Sequence, residues 1–457
     1  MRWLAVIMAA ALVAACGSSP GTAPSSSAPS TLPTAPGVDY PDWPTYHGDA
    51  QRTGYAASLK PVTGSPAPLW NVPLDGAVYG SPVIVDHGVM IVATENDSVY
   101  RIAGGNVVWR RQLGAPVPGS SLPCGNIDPS GITSTPAYDP ATNTLVVVAF
   151  LADPFRHVAV GLDPVTGAQR WSRMVDVPSS VPGTSPRAMQ QRGALLVDGR
   201  RVYIPYGGLA GDCSSYRGSL VGVDLDHPAD PLWYFTVPTA REGGIWAAPG
   251  PSANPGGGLL VAVGNGASGS GEPYDYSDSI LRLSGQNIVD SFSPTTWAAD
   301  NEADLDLGSQ APAIVGSRVF ADGKSGTAYL LDRAHLGGIG GQLSQTRLCP
   351  SYGGTAVVGD VVYVPCTTGV RAVRINADDT MTVLWRAPSN VTGSPVVGAG
   401  RVWSLDVDAG RLYMLDAADG AVLGSMATGQ VTRFATAALY CNTVLVGTTA
   451  GIRAFTW

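Results

Sequence analysis

The sequence predicts an all-β fold, an eight-bladed β-propeller of four-stranded antiparallel blades, and three observations predict it. A unit of short apolar runs separated by turns recurs along nearly all of the 457 residues. Gly (57) and Pro (37) are abundant while only 14% of residues are charged, which suits many short strands and turns better than long surface helices. No helical period of useful length follows the first apolar run.

The unit is cleanest at residues 393–424, GSPVVGAGRVWSLDVDAGRLYMLDAADGAVLG. Residues 395–397 and 401–405 are two alternating, β-branched runs joined by Gly398-Ala399-Gly400. Asp408-Ala409-Gly410 turns into a third run at 412–415, and residues 416–420 turn again into an outer strand that begins at Ala421. One such sheet cannot bury both of its faces alone. Copies must therefore stack, and radial closure is the usual solution for all-β repeats of this size.

The copies fall into register. The innermost strand opens on small residues, often with Pro: Gly80-Ser81-Pro82, Ser134-Thr135-Pro136, Ala248-Pro249, Ala311-Pro312, Gly354-Thr355-Ala356, Gly393-Ser394-Pro395 and Ala435-Thr436-Ala437. Arg192-Gly193-Ala194 departs from this and keeps the following Leu195-Leu196-Val197. Third strands end in Asp163, Asp224, Asp332 and Asp416, and fourth strands carry Trp109, Trp171, Trp233 and Trp385. Seven complete units are followed by residues 434–455, which hold only three strands. Pro68-Leu69-Trp70 has the fourth-strand pattern with no unit before it, so it is expected to close the last blade.

Ahead of the propeller, expected over residues 40–457, lie two short segments. Residues 1–15 carry Arg2 and an apolar run too short for a stable membrane span, ending in Val13-Ala14-Ala15-Cys16-Gly17. That ending resembles a bacterial lipobox and implies a signal peptide, cleavage before Cys16, and acylation of Cys16 with palmitate-type chains as a lipid anchor to a membrane surface. The alternative is an ordinary secretory leader that happens to contain Cys. Residues 16–39 are rich in Ser, Pro and Thr and read as a disordered tether. The localisation expected is the extracytoplasmic face of a bacterial membrane.

In an exported chain disulfides are plausible. Cys349 is expected to pair with Cys366, flanking one inner strand, and Cys124 with Cys213, both in long loops; Cys441 is then left free or available to another chain. No CxxCH motif occurs, which excludes covalent c-type haem, and no Cys/His spacing resembles a zinc site. The net charge of -8 argues against nucleic acid as a partner, because phosphate binding needs a basic face.

Small-Pro inner strands, a Tyr-x-Leu-Asp third strand and a Trp fourth strand together resemble the pyrroloquinoline quinone (PQQ) type propeller superfamily, which includes quinoprotein alcohol dehydrogenases and BamB-type envelope lipoproteins. The opening Asp42-Trp43-Pro44-Thr45-Tyr46-His47-Gly48-Asp49 is similar to the start of many such domains. The resemblance implies that Trp246 floors a quinone, that Asn265 ligates calcium and that Lys324 touches the quinone oxygens. Two departures accompany it. The family's Asp-Asn pair falls on Pro273-Tyr274, leaving Glu272 or Asp275 as the base, and Asp212 is the carboxylate nearest in sequence to the missing calcium-binding Glu. The adjacent Cys-Cys pair of many members is absent.

Each of these residues also has a plain structural reading: Trp246 as blade packing, Asn265 as a turn residue between glycines, Lys324 as a loop charge. An acidic loop, Asn301-Glu302-Ala303-Asp304-Leu305-Asp306, precedes the fifth unit. Two functions are therefore expected as competitors. The first is a non-catalytic binding or scaffold module of the cell envelope, monomeric, with an envelope protein partner. The second is a PQQ- and calcium-dependent dehydrogenase of alcohols or sugars.

Overall fold

The computed structural model describes residues 41–59, 64–181 and 184–457. The signal peptide, the tether and the Cys16 anchor expected from the sequence lie outside the described residues. No described helix is long and apolar enough to cross a membrane.

Eight sheets form the ring, each with a core of four antiparallel strands. Blade 1 is Val83–Val85, Val89–Ala93, Ser98–Ala103 and Asn106–Gln112. Blade 7, the cleanest repeat, is Val396–Gly398, Arg401–Asp406, Arg411–Asp416 and Val422–Ala427. The last blade holds Ala437–Tyr440, Thr443–Thr448 and Gly451–Thr456, and its outer strand is Ala67–Pro73, paired antiparallel from Ala67 against Thr456 to Pro73 against Gly451. The N-terminal closure expected from the unpaired Trp70 strand is thus the one adopted.

Strand periodicity explains how the blades stack. Along Thr144–Leu151 of blade 2, Leu145, Val147 and Ala149 pack with blade 1, while Val146 and Val148 pack with blade 3. Alternate side chains leave opposite faces of a strand, so a strand apolar at every position belongs between two sheets. The recurring Trp and Gly are two halves of one contact. Trp109 donates Nε1–H to the Val165 carbonyl of blade 2 (2.9 Å), and Trp385 does the same to Ala417 of blade 7 (3.1 Å). A Cβ at Gly420, whose φ is +74°, would sit 2.6 Å from the Trp385 ring, so the turn must carry Gly.

The small residues that open the inner strands bond neighbouring blades to each other. The Thr135 hydroxyl accepts the Ser81 N–H (2.8 Å), and the Thr436 hydroxyl donates to the Ser394 carbonyl (3.0 Å). A Cβ at Gly80 would meet the Ser134 carbonyl oxygen at 2.7 Å.

A hub crosses the axis. Residues 43–56 run through the centre, and their hydrogen bonds reach blades 1, 2, 3, 4, 6, 7 and 8. Trp43 bridges Ile84; the Pro44 carbonyl accepts from Tyr138, and Thr45 Oγ1 donates to Leu195. His47 meets Thr436; Ala50, Thr53 and Gly54 carbonyls accept from Ala253, Val357 and Val397. Arg52, buried and without an ion pair among the described residues, donates to the carbonyls of Pro251 (3.1 Å) and Leu195 (2.9 Å). Burial lowers its pKa to about 10.

The disulfides Cys124–Cys213 and Cys349–Cys366 form as expected, with Cα separations of 6.1 and 5.6 Å. Cys441 corrects the sequence reading: it is disulfide-bonded rather than free. Its place in a hairpin turn gave the sequence no sign of that bond. Such bonding fits an oxidising compartment outside the cytoplasm. One short helix, Trp297–Glu302, occupies the start of the acidic loop, where a helical period was not evident over so few residues.

Candidate functional site

Segments from blades 3, 4 and 5 bring the predicted quinone residues to one corner. Trp246 follows the outer strand Trp233–Thr236 of blade 3; Asn265 follows the blade 4 strand Leu259–Val263; Lys324 stands in the blade 5 turn between Arg318–Ala321 and Thr327–Asp332. The acidic loop closes over them. Asp306 Oδ1 accepts the Asn265 backbone N–H (2.7 Å) and, at 3.5 Å, the Trp246 indole N–H. Asp304 Oδ1 accepts from Asn265 Nδ2 (2.8 Å) and from Lys324 Nζ (2.6 Å), and Lys324 also binds Asp306 Oδ2. The ammonium lies 5.7 Å from the centre of the Trp246 ring, a cation–π distance.

Burial dominates the electrostatics. It pushes the Asp306 carboxyl up, against the pull of Lys324. The Lys324 ammonium is disfavoured by burial, yet Asp306 and Asp304 outweigh that and hold its pKa above the usual lysine value. Glu242 is raised by burial, then opposed by Arg241 and raised further by Asp212 and Asp306. The Tyr216 hydroxyl is raised by burial and by Asp212. Asp212 therefore belongs to the same electrostatic neighbourhood. Among the described residues, however, no group of three or more His, Cys, Asp or Glu side chains is placed to hold a metal ion.

The two base candidates occupy the neighbouring loop. Asp275 is buried and accepts from Thr239 Oγ1 and Ser277 Oγ (2.6 Å each) and from the N–H groups of Ala267, Ser268 and Ser277. Burial raises its carboxyl, but the Ser277 and Thr239 hydrogen bonds prevail and hold it below the usual Asp value. A carboxylate so occupied pins the turn that carries Asn265. Glu272 accepts the Gly269 N–H (2.8 Å) inside the same loop. The sequence reading missed Asp304 and Asp306 as partners of Lys324. Their spacing gave no signal, because the loop turns at Asp304, whose φ is +54°, and only that turn brings both carboxylates to Lys324.

Beside this corner the axis opens in a narrow mouth. Trp246 meets Phe434 edge-on with ring centres 6.2 Å apart. Arg192 stacks 4.9 Å over Phe434, and Arg433 lies 4.2 Å over Tyr352 and 5.9 Å from the Phe434 centre. The funnel, lined by Tyr46, Tyr79, Thr133, Arg192 and Phe434 among others, encloses about 270 Å³ with its open mouth. Its interior free space is about 10 Å³, room for a single water.

These residues do not fit a calcium–quinone pair as they stand. Asn265 Oδ1 is buried and unpartnered, which would suit a cation. The adjacent carboxylates Asp304 and Asp306 both already engage the one ammonium of Lys324, which occupies the place a cation would take. A planar polycyclic ligand needs a pocket of about 300 Å³ or more, far beyond the free space on the axis.

Comparison with known proteins agrees with the fold. The sequence profile of the family described as "Outer membrane protein assembly factor BamB" matches residues 50–244 and 286–455. The polyvinylalcohol dehydrogenase of Sphingopyxis sp. (strain 113P3) is 24% identical over 262 residues, 51% of this chain. The match spans only 36% of that relative's length. The quinohemoprotein alcohol dehydrogenase of Comamonas testosteroni has a TM-score of 0.66 at 17% identity, covering 92% of this chain and 81% of its own. BamB of Moraxella catarrhalis has a TM-score of 0.57 at 16% identity, covering 86% and 100%. At these identities the structural likeness shows the fold alone, and one fold hosts both a dehydrogenase and an assembly factor.

Proposed function

The chain belongs to the PQQ-like propeller family described as outer membrane protein assembly factor BamB, and from that premise we propose that it is a non-catalytic binding module of the bacterial cell envelope. The observation that carries this reading is the Lys324–Asp304–Asp306 cluster over Trp246. To meet a quinone, Lys324 would have to leave Asp306, whose side chain is only 7% exposed. Breaking a buried pair from one side is disfavoured by roughly 3–5 kcal/mol. The acceptor-saturated Asp275 supports the same reading, since a general base needs a free lone pair.

The partner in this proposal is an envelope protein or ligand, with the chain a monomer at the extracytoplasmic face of a membrane. Anchoring through Cys16 needs that thiol for a thioether to lipid. Peptide mapping of that position tests for it. A PQQ- and calcium-dependent dehydrogenase is the second reading, favoured by the convergence of Trp246, Asn265 and Lys324 at one corner.

Calorimetric titration of the full chain with PQQ and Ca²⁺, beside an Asn265→Ala variant, separates the two. The binding-module reading expects no saturable heat. Saturable binding that Asn265→Ala weakens would replace it with the dehydrogenase reading.

A further inference from the structure

The axial mouth carries two guanidiniums in an acidic protein of net charge -8. Other arginines are satisfied: Arg52 by backbone carbonyls, Arg318 by Asp379, Arg401 by Asp416. Arg192 and Arg433 differ. Among the described residues neither guanidinium has a hydrogen-bond acceptor or a carboxylate partner within ion-pair distance, yet both lie within 6 Å of the Phe434 centre, at 4.9 and 5.9 Å. Arg192 is half-buried and lines the funnel.

A stacked guanidinium keeps its in-plane N–H fork pointing outward, the geometry that takes a carboxylate by two parallel hydrogen bonds. A partly desolvated charge without a partner is costly, so such a fork is prepared for an anion from outside. Glu95, buried nearby, attracts Arg192 through space without touching it. One of its oxygens, Oε2, accepts both the Gly131 N–H (2.7 Å) and the Thr133 hydroxyl (3.1 Å), while Oε1 is buried without a hydrogen-bond partner among the described residues.

We infer that the axial mouth is a carboxylate-binding site in which Arg192, with the Tyr79 hydroxyl beside it, receives the terminal carboxylate of a slender chain, while Arg433 at the rim draws it in. The inference rests on the binding-module reading and gives that module a ligand class. The interior has room for about one water, so the carboxylate meets the guanidiniums at the open mouth, and a fused ring system finds no space inside. Arg433 is exposed, so its contribution is long-range attraction, screened by salt.

The test is calorimetry on the full chain with three probes: the tripeptide Gly-Gly-Ala with a free C-terminus, the same peptide amidated, and acetate. The free acid is expected to bind about 10-fold or more tightly than the amide, because a charge-assisted bond is lost. Acetate binding as well as the peptide would assign the site to small free carboxylates; weaker acetate binding would assign it to a chain end. Arg192→Gln is expected to weaken the free acid about 10-fold or more, and exposed Arg433→Gln to weaken it less while flattening the salt dependence. The inference is overturned if neither carboxylate gives saturable heat, if acid and amide bind alike, or if both variants bind as the parent does. The acid-against-amide comparison needs no substitution, so a misfolded variant cannot hide the answer. PQQ binding is read in a separate titration, so each reading can fail alone.

Discussion

Replacing Lys324 with Met removes the cation from a corner that holds two carboxylates. Asp304 is 75% exposed and water will serve it, so the effect falls on Asp306, 7% exposed. Removing one partner of a buried pair typically destabilises by ~3–5 kcal/mol. Asp306 keeps the Asn265 and Trp246 N–H donors, which brings Lys324→Met below that range, to about 2–3 kcal/mol at pH 7. The pH dependence follows from the direction of the Asp306 shift. Burial already holds its folded pKa above the usual value, and losing Lys324 raises it further. A carboxyl raised on folding favours the native state below its unfolded pKa of about 3.9, and that advantage disappears as pH rises through the folded value. The deficit should therefore be smallest near pH ~4 and grow toward pH ~7. Urea midpoints at both pH values read it directly, and Lys324→Met/Asp306→Asn should recover to within about 1 kcal/mol of the parent. A single variant neutral at pH 7, or a double variant no better than the single, would refute the claim that Lys324 is occupied structurally.

Two further outcomes test the frame and its buried charge. Trp385→Ala should destabilise by ~3–5 kcal/mol, and Gly420→Ala, harmful while the indole is present, should retain only a backbone penalty of ~1 kcal/mol in the Trp385→Ala background. Urea midpoints of the three variants decide whether the two residues form one contact. Glu95, raised by burial to about 7, makes the native state less stable as pH rises through that value. Glu95→Gln should remove that part of the slope, gaining ~1–2 kcal/mol over the parent between pH ~5.5 and ~8.5. An unchanged slope would mean that Glu95 stays ionised throughout.

The ring was legible because its cause is periodic. Trp385, Gly420 and Asp416 recur in phase, and the surplus Pro68-Leu69-Trp70 strand announced its own partner. The corner was half legible. Trp246, Asn265 and Lys324 came through a family resemblance, whereas Asp304 and Asp306 looked like a solvated acidic loop until folding placed them beside an ammonium. The role of Asp275 was hidden because it depends on Thr239, a residue of another segment. The hub at residues 43–56 was invisible because its partners are remote, and contacts that occur once leave no period in a sequence.

The placement of the first strand has a consequence for how the molecule is made. Ala67–Pro73 is synthesised before any complete blade, yet it pairs with Gly451–Thr456, almost at the other end. Until Gly451–Thr456 is made, Ala67–Pro73 waits with open edges, and the hub has few of its blades to hold. Contacts of such long sequence separation form slowly, and open edges invite pairing with other molecules during the wait. The ring thus behaves as a clasp whose two halves are made before the first blade and within the last, and loss of either half leaves an exposed sheet edge where the circle should close.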